Sequence, residues 1–371
     1  MAGDLCLDRM TAGLPWRERY RERLGLRDGQ RLVVASSTWG PGSLLGRRPE
    51  LLGRLLGELP VDEYRVAAVV HPNVWHGHGA WQLRAWLADC RKAGLLLIPP
   101  REGWRAAVVA ADCVLGDHGS VTLYGAAVGR PVALAAFDAD DVDPETAMGA
   151  LARSVPHIDA DAPLRPQVED AIGRHDAARC AEIAEMAVAE RGGAASILRR
   201  LMYELMGLPE PASAARAAPV PPAVPEPPEW GHGRPALLAV CEVIGADVRV
   251  VRFAGKARPS RPAHLVVDDS EVDERLRELA DIIVRRPEAP GPLAWVSGER
   301  VFAALPACRM VADVADGRCL VLPRGGGLLR VEGAWPDPAV FASAVLACLD
   351  RGRDMPRRVL IGRTAVPVTV T

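Results

Sequence analysis

From about residue 30 the chain alternates between short apolar runs and segments whose leucines and alanines recur at helical spacing. "RLVVASS" (Arg31–Ser37) is an almost unbroken apolar run, the pattern of a strand covered on both faces. "RPELLGRLLGEL" (48–59) follows with leucines three and four apart, then "YRVAAVVHP" (64–72) as a second strand. "AWQLRAWLADCRKAG" (80–94) predicts a helix ending at a glycine cap, "LLLIPP" a third strand, and "GWRAAVVAAD" a short helix. "CVLG" is the fourth strand, "VTLYGAAVG" a helix stopped by Gly129 and Pro131, and "PVALAAF" the fifth strand. Strands separated by single helices predict parallel pairing, hence an α/β lobe with a Rossmann-like parallel sheet. Residues 165–208 read as helical with a break at Gly192-Gly193.

The rhythm then changes. "LPEPASAARAAPVPPAVPEPPEWGHGRP" (208–235) is dense in proline and alanine and predicts an extended connector that packs against nothing. The expected organisation is a lobe with a helical tail over 1–208, a linker over 209–234, and a smaller α+β domain over 235–371. In that last block "ALLAVCEVIGADVRVVRF" reads as two strands about Gly245-Ala246-Asp247, and "EVDERLRELADIIV" as one helix. "RMVADVADGRCLVLPRGGGLLRVEG" reads as a meander, "PAVFASAVLACLD" as a helix and "RVLIG" as a closing strand. No chemistry motif stands out in it.

Composition narrows the setting. Of 371 residues 49% are hydrophobic and 25% charged, with a formal net charge of −2, so nothing points to nucleic acid as a partner. The eight cysteines are scattered with no C-x-x-C pair, which predicts reduced thiols and a cytoplasmic chain. No apolar run approaches the roughly 18 residues of a transmembrane segment, and no signal-peptide core opens the chain.

The unusual polar residues fall where the first, second and fourth of these strands would end. Ser36-Ser37-Thr38-Trp39-Gly40-Pro41 follows the first strand, His71-Pro72-Asn73 the second, and Asp117-His118-Gly119-Ser120 the fourth. In an open parallel sheet ligands bind beyond the carboxyl ends of the strands, so these stretches converge on one rim. Ser120 is placed to cap the helix that follows, leaving the N–H groups of Val121 and Thr122 to face an anion. Gly119 would let the backbone approach a ligand closely. The alternative is an ordinary capped turn.

These motifs together resemble the C-terminal lobe of the GT-B glycosyltransferase superfamily. "ADCVLGDHGSVTLYGAAVGRPV", Thr38-Trp39 and His71-Pro72 resemble most the CDP-glycerol glycerophosphotransferases of teichoic acid synthesis. UDP-N-acetylglucosamine 2-epimerases are similar at His71-Pro72-Asn73 and at the Asp117–Ser120 turn. The resemblance spans about residues 1–205. It implies a nucleotide-diphosphate site at Ser37, Thr38, His71, Asp117, Gly119, Ser120 and Val121, with His71 and His118 as candidates for proton transfer. It implies a donor such as CDP-glycerol or a UDP-sugar as substrate, and neither a metal nor a separate cofactor. "GDLCLDRM" (3–10) resembles the segment joining the two lobes in these families, which implies a first lobe upstream or in a partner chain. The sequence departs from the family at Gly40, where an arginine is expected, and at Leu123-Tyr124, where the epimerases carry glutamates. These departures keep two other readings open: a binding or scaffold protein without catalysis, and a nucleotide-sugar epimerase or hydrolase.

Four further features read as structure. His71, His76 and His78 lack a cysteine or carboxylate neighbour in sequence, so "HPNVWHGHG" reads as a loop, not a metal site. Trp75 is a candidate for stacking a base or sugar, whereas Trp81 and Trp86 are expected to pack their helix. "PRGGGLLR" (323–330) reads as a hairpin turn, and the acidic "FDADDVDPE" (137–145) as a solvated loop.

Overall fold

A computed structural model describes residues 2–227, 234–254, 259, 261–287 and 294–371, with 294–297 described in backbone only. The chain divides into two compact units. One holds the chain up to Leu55, Tyr64–Arg91 and Leu95–Pro227; the other holds Leu56–Glu63, Lys92–Gly94 and the chain beyond Pro227.

The first unit is built on five strands, β1 (Arg31–Ser37), β2 (Tyr64–Val70), β3 (Leu96–Ile98), β4 (Cys113–Gly116) and β5 (Val132–Leu134), in the order β3-β2-β1-β4-β5. Every pairing is parallel, with Arg31 opposite Tyr64 at one end of the β1–β2 ladder and Ser37 opposite Val70 at the other. This is a Rossmann-like α/β sheet. Its strands read as unbroken apolar runs because both faces are covered: Leu32, Val33 and Val34 are all fully buried. The order reverses between β1 and β4, so the carboxyl ends of those two strands flank the topological switch point.

Helices cover the sheet much as their spacing predicts, with two differences in the connection between β2 and β3. Residues 80–94 form two short helices, Ala80–Trp86 and Ala88–Lys92. "PNVWHGH", expected as a loop, is the helix Pro72–His78. Pro72 supplies the preset φ of a first helical position, and the His71 ring accepts from the Asn73 N–H at 3.1 Å, an N-cap made by imidazole.

Among its described residues the proline-rich stretch has no helix or strand, yet part of it is packed, contrary to the expectation. Val220 and Ala223 are buried, the Tyr20 hydroxyl donates to the Val220 carbonyl at 2.7 Å, and the Glu226 N–H donates to the Leu97 carbonyl at 2.8 Å. Proline has no N–H to orphan, so a proline-rich strip can lie against apolar surface at little polar cost, and Glu226 covers the open edge of β3. The residues 228–233 of that stretch lie outside the described residues.

The second unit contains a ten-stranded mixed sheet. Its strands are β6 (Leu237–Ile244), β7 (Asp247–Ala254), β8 (Ala263–Asp268), β9 (Ile282–Arg285), β10 (Met310–Ala315), β11 (Arg318–Pro323), β12 (Leu329–Glu332), β13 (Arg358–Ile361), β14 (Thr364–Pro367) and β15 (Thr369–Val370). They run in the order β14-β13-β7-β6-β8-β9-β10-β11-β12-β15, with β8–β9, β9–β10 and β7–β13 parallel and the rest antiparallel. β14 and β15 stand at opposite ends of this order although only Val368 separates them, so the sheet curls round towards itself. The helix Ala339–Asp350 is apolar on all sides and buried from Ala339 to Cys348, packing on the inner residues Val250, Val266, Ile282, Met310 and Val321. The alternate positions Val267, Ile283, Val311 and Leu322 face a second core with Phe302.

One predicted helix is shorter than expected. Only Glu274–Glu278 is helical, and "IIV" becomes β9 between β8 and β10. Isoleucine and valine are stiff at χ1 and fit a pleated, doubly covered position better than a helix end.

Candidate functional site

Beyond the carboxyl ends of β1, β2, β3 and β4 lies a cavity of about 200 Å³. The end of β1 and the loop after it contribute Ser36, Ser37 and Thr38; the end of β2 and the residues after it contribute Val69, Val70, His71 and Pro72. Pro99, Pro100 and Trp104 come from the end of β3 and the helix after it, and Gly119, Ser120 and Val121 from the turn after β4. The volume is below the range that takes a whole drug-sized ligand. Among the lining residues His71 alone is titratable.

The polar groups on this rim divide into those already committed and those left free. Asp117 is fully buried and does not line the cavity. Its Oδ2 accepts from the N–H groups of Thr38 and Leu44, both at 2.8 Å, and its Oδ1 from the Gly119 N–H at 2.9 Å. The carboxyl group therefore fixes the loop after β1 to the loop after β4. Ser37 lines the cavity, but its hydroxyl donates to the Thr38 carbonyl and accepts from the Leu45 N–H.

Four donors remain. The hydroxyls of Thr38 and Ser120 have no protein partner among the described residues, and the N–H groups of Ser120 and Val121 open the helix Ser120–Ala127 without an intrahelical acceptor. The helix start differs from expectation by one residue: Gly119 is the N-cap and Ser120 the first helical residue, and the Thr122 N–H is taken by the Gly119 carbonyl at 3.1 Å. Gly119 has an extended φ of −74°, so its lack of a side chain serves space, not conformation. A Cβ there would stand 2.9 Å from Asp117 Oδ1 and 3.0 Å from Thr38 Cβ.

His71 is half-buried at the cavity edge, its own N–H donating to the Ser37 carbonyl at 2.9 Å. Because Nδ1 accepts from Asn73, the neutral ring carries its proton on Nε2, leaving that N–H as the donor for a ligand. His118 is not brought to the cavity. Its ring packs towards Gly42, where an added Cβ would lie 3.6 Å from His118 Cε1 and 3.2 Å from Asp141 Oδ2.

The neighbouring motifs are structural in the geometry they show. Asp4 caps the helix Leu5–Gly13 through the N–H groups of Cys6 and Leu7, and its Oδ2 accepts from the Tyr124 hydroxyl at 2.5 Å. Burial, then the bond to Asp4, push the Tyr124 hydroxyl far above its ordinary pKa. Asp8 accepts from the N–H groups of Gly192 and Ala194, closing the start of the helix Ala194–Met206. In the acidic loop Arg47 pairs with Asp138 at 2.8 Å, and this hydrogen bond holds Asp138 below the usual carboxylate pKa. No group of three or more metal-ligating side chains occurs among the described residues.

The tryptophans reverse the expectation. Trp75 is buried, while Trp81 and Trp86 are 74% and 56% exposed. Trp104, which lines the cavity, was not singled out from the sequence; Arg105 lies over its ring at 4.7 Å. Its signal was "PPREGW", which follows the third strand onto the same rim and so meets the carboxyl-end rule as the other three stretches do.

No family model matches the chain, and no curated protein matches it. Among solved structures it is similar to the wall teichoic acid polymerase TagF, at 15% identity and a TM-score of 0.36, over 52% of this chain and 48% of that one. It is similar to HepE from Anabaena, solved with UDP and glucose, at 15% identity and a TM-score of 0.32, over 52% of each chain. A glycosyltransferase from Rickettsia africae is similar at 11% identity and a TM-score of 0.33, again over 52% of each. The chain spans about half the length of these structures. The α/β assignment rests on the parallel ladders and strand order of the sheet itself. No helix among the described residues is long and apolar enough to cross a membrane.

Proposed function

We propose that the first unit binds the diphosphate of a nucleotide-activated donor, CDP-glycerol or a UDP-sugar, in the cavity at the switch point of its sheet. The observation that carries this is the gathering of donors with no competing carboxylate: the Thr38 and Ser120 hydroxyls, two first-turn N–H groups and His71 Nε2–H. Such a set favours negative charge through hydrogen bonds and the helix dipole, without a metal. The resemblance of the three rim motifs to GT-B transferases points to the same ligand. In a transfer reaction His71 would hold the leaving phosphate through its Nε2–H hydrogen bond, the proton staying on the ring.

A second reading is favoured by the same lining. With no lysine, arginine or carboxylate on the cavity wall, a single imidazole would have to serve every proton transfer, as suits a protein that retains nucleotide binding without turnover. Calorimetric titration with CDP, UDP, CDP-glycerol and a UDP-sugar tests binding, with His71→Ala expected to weaken it by about 1–3 kcal/mol. Release of free nucleotide from the bound donor would then separate transfer from scaffold. Absence of saturable binding by all four ligands would refute the reading.

A further inference from the structure

The helix Ala194–Met206 leaves the first unit with its apolar side uncovered. Its first turn is anchored, since Ala194 is buried and held by Asp8. Its last two turns are not: Met202, Leu205 and Met206 are 57%, 80% and 56% exposed, and Leu201 and Leu208 are exposed as well. The end is closed, not frayed. Gly207 takes φ +63°, its N–H donates to the Glu204 carbonyl, and the Leu208 N–H donates to the Tyr203 carbonyl. The exposed surface is thus a firm ridge.

Leu198, Leu201 and Leu205 are spaced three and four apart, and Leu208 continues the spacing past the cap. That is a short heptad seam, the pattern of a helix paired with another helix. On one flank of it stand Arg200 and Glu204, exposed and four residues apart, with no ion pair to each other or to another described residue. An antiparallel pair of identical helices sets a flank against the same flank of its mate. Leu201 then meets Leu205 of the second copy, and Arg200 lies about 3 Å along the axis from its Glu204, within reach of the long arginine side chain, twice by symmetry. A parallel pair would set Glu204 against Met202 instead. A lipid surface fits less well, because Glu204 offsets Arg200 and Glu210, just past the helix, pairs with Arg199, leaving residues 194–210 no net positive charge to draw them to anionic headgroups.

We propose that this ridge is the contact of a two-fold, antiparallel homodimer of the chain. The seam is only about three turns long, less than a standard interface, so a weak, reversible dimer is expected.

Sedimentation of the full chain through the micromolar range tests it. The chain should pass from monomer to dimer, and Leu205→Arg, an exposed position, should hold it monomeric with an unchanged circular dichroism spectrum. Arg200→Glu or Glu204→Arg alone should weaken the dimer about tenfold, two pairs being lost at once, and the double exchange should restore it. A chain monomeric throughout, a dimer that Leu205→Arg leaves intact, or single charge changes that the double exchange does not rescue would each overturn the proposal. So would Leu205-dependent binding to phosphatidylglycerol vesicles without self-association.

Discussion

Replacing Asp117 with asparagine tests whether this residue builds the cavity or contacts the ligand. The side chain keeps its shape and loses one acceptor oxygen. In the native chain three N–H groups reach the carboxyl group, from Thr38, Leu44 and Gly119, at 2.8–2.9 Å and out of contact with solvent. Asparagine serves best with its carbonyl at the Oδ2 position, keeping Thr38 and Leu44 as neutral bonds. Losing the charge from those two costs about 1 kcal/mol each, since bonds to charged groups are worth about 1.5–3 kcal/mol against about 1 for neutral ones. The amide NH₂ then faces the Gly119 N–H, donor against donor, at a further cost of about 1–3 kcal/mol. The total is about 4 kcal/mol, a large fraction of the 5–15 typical of a domain. Because the chain has two units, a single denaturation midpoint would mix them, so amide hydrogen exchange is the better assay. Protection at Thr38, Leu44 and Gly119 should fall by about three orders of magnitude, with the amides of β10–β12 unchanged. If protection stays within about fivefold of native while nucleotide binding is abolished, Asp117 is a ligand contact and the structural account fails.

Three other outcomes are expected. Ser120→Ala should weaken nucleotide binding about tenfold, and Ser120→Pro should weaken it about tenfold again by removing the N–H as well. Proline is tolerated at a first helical position, and Gly119, with ψ of 154°, already has the conformation that precedes proline; equal effects in calorimetry would sink the backbone-donor reading. Burial pulls His264 down to about 4, despite Asp281 and Asp350. The folded chain keeps this ring neutral while the unfolded chain protonates it near 6.5, so stability is lost as pH falls from about 6.5 to about 4 and levels off below. The loss should reach about 3 kcal/mol in exchange measurements on the second unit, and a His264→Phe variant that kept the same slope would contradict it. Tyr20→Phe leaves the buried Val220 carbonyl unpaired at a cost of about 1–2 kcal/mol. Proteolysis within 209–227 should then quicken about tenfold, and an unchanged rate would mean the strip is not held by this bond.

The parallel sheet was readable because each of its strands is buried on both faces, so even the four residues of Cys113–Gly116 read as an apolar run between turn signals. The position of the cavity was readable for a related reason: parallel strands put all their carboxyl ends on one edge, and the polar stretches sit there. The division of labour among those polar residues was not. Whether Ser37 or Asp117 has a hydrogen bond to spare depends on where the loop after β1 returns, and it returns Leu44 and Leu45 onto them. No spacing along the chain announces that return. The tryptophans fail in the same way, since a helical period says which residues share a face but not whether anything covers it; Trp81 and Trp86 are uncovered and Trp75 is covered. In the second unit "IIV" fits the end of a helix by period alone, and becomes a strand because β8 and β10 stand on either side of it.

The turn after β4 joins these points. Its aspartate and glycine are the residues that most resemble a ligand site, yet Asp117 takes three backbone donors and Gly119 is small to admit Thr38. By drawing the N–H groups of Thr38 and Gly119 inward, Asp117 turns the Thr38 hydroxyl and the first turn of Ser120–Ala127 towards one space. The motif would thus act on the proposed ligand at one remove. A chain can keep Asp117 and Gly119 to hold this edge of the sheet whether or not it transfers anything, so catalysis must be judged on Thr38, His71 and Ser120.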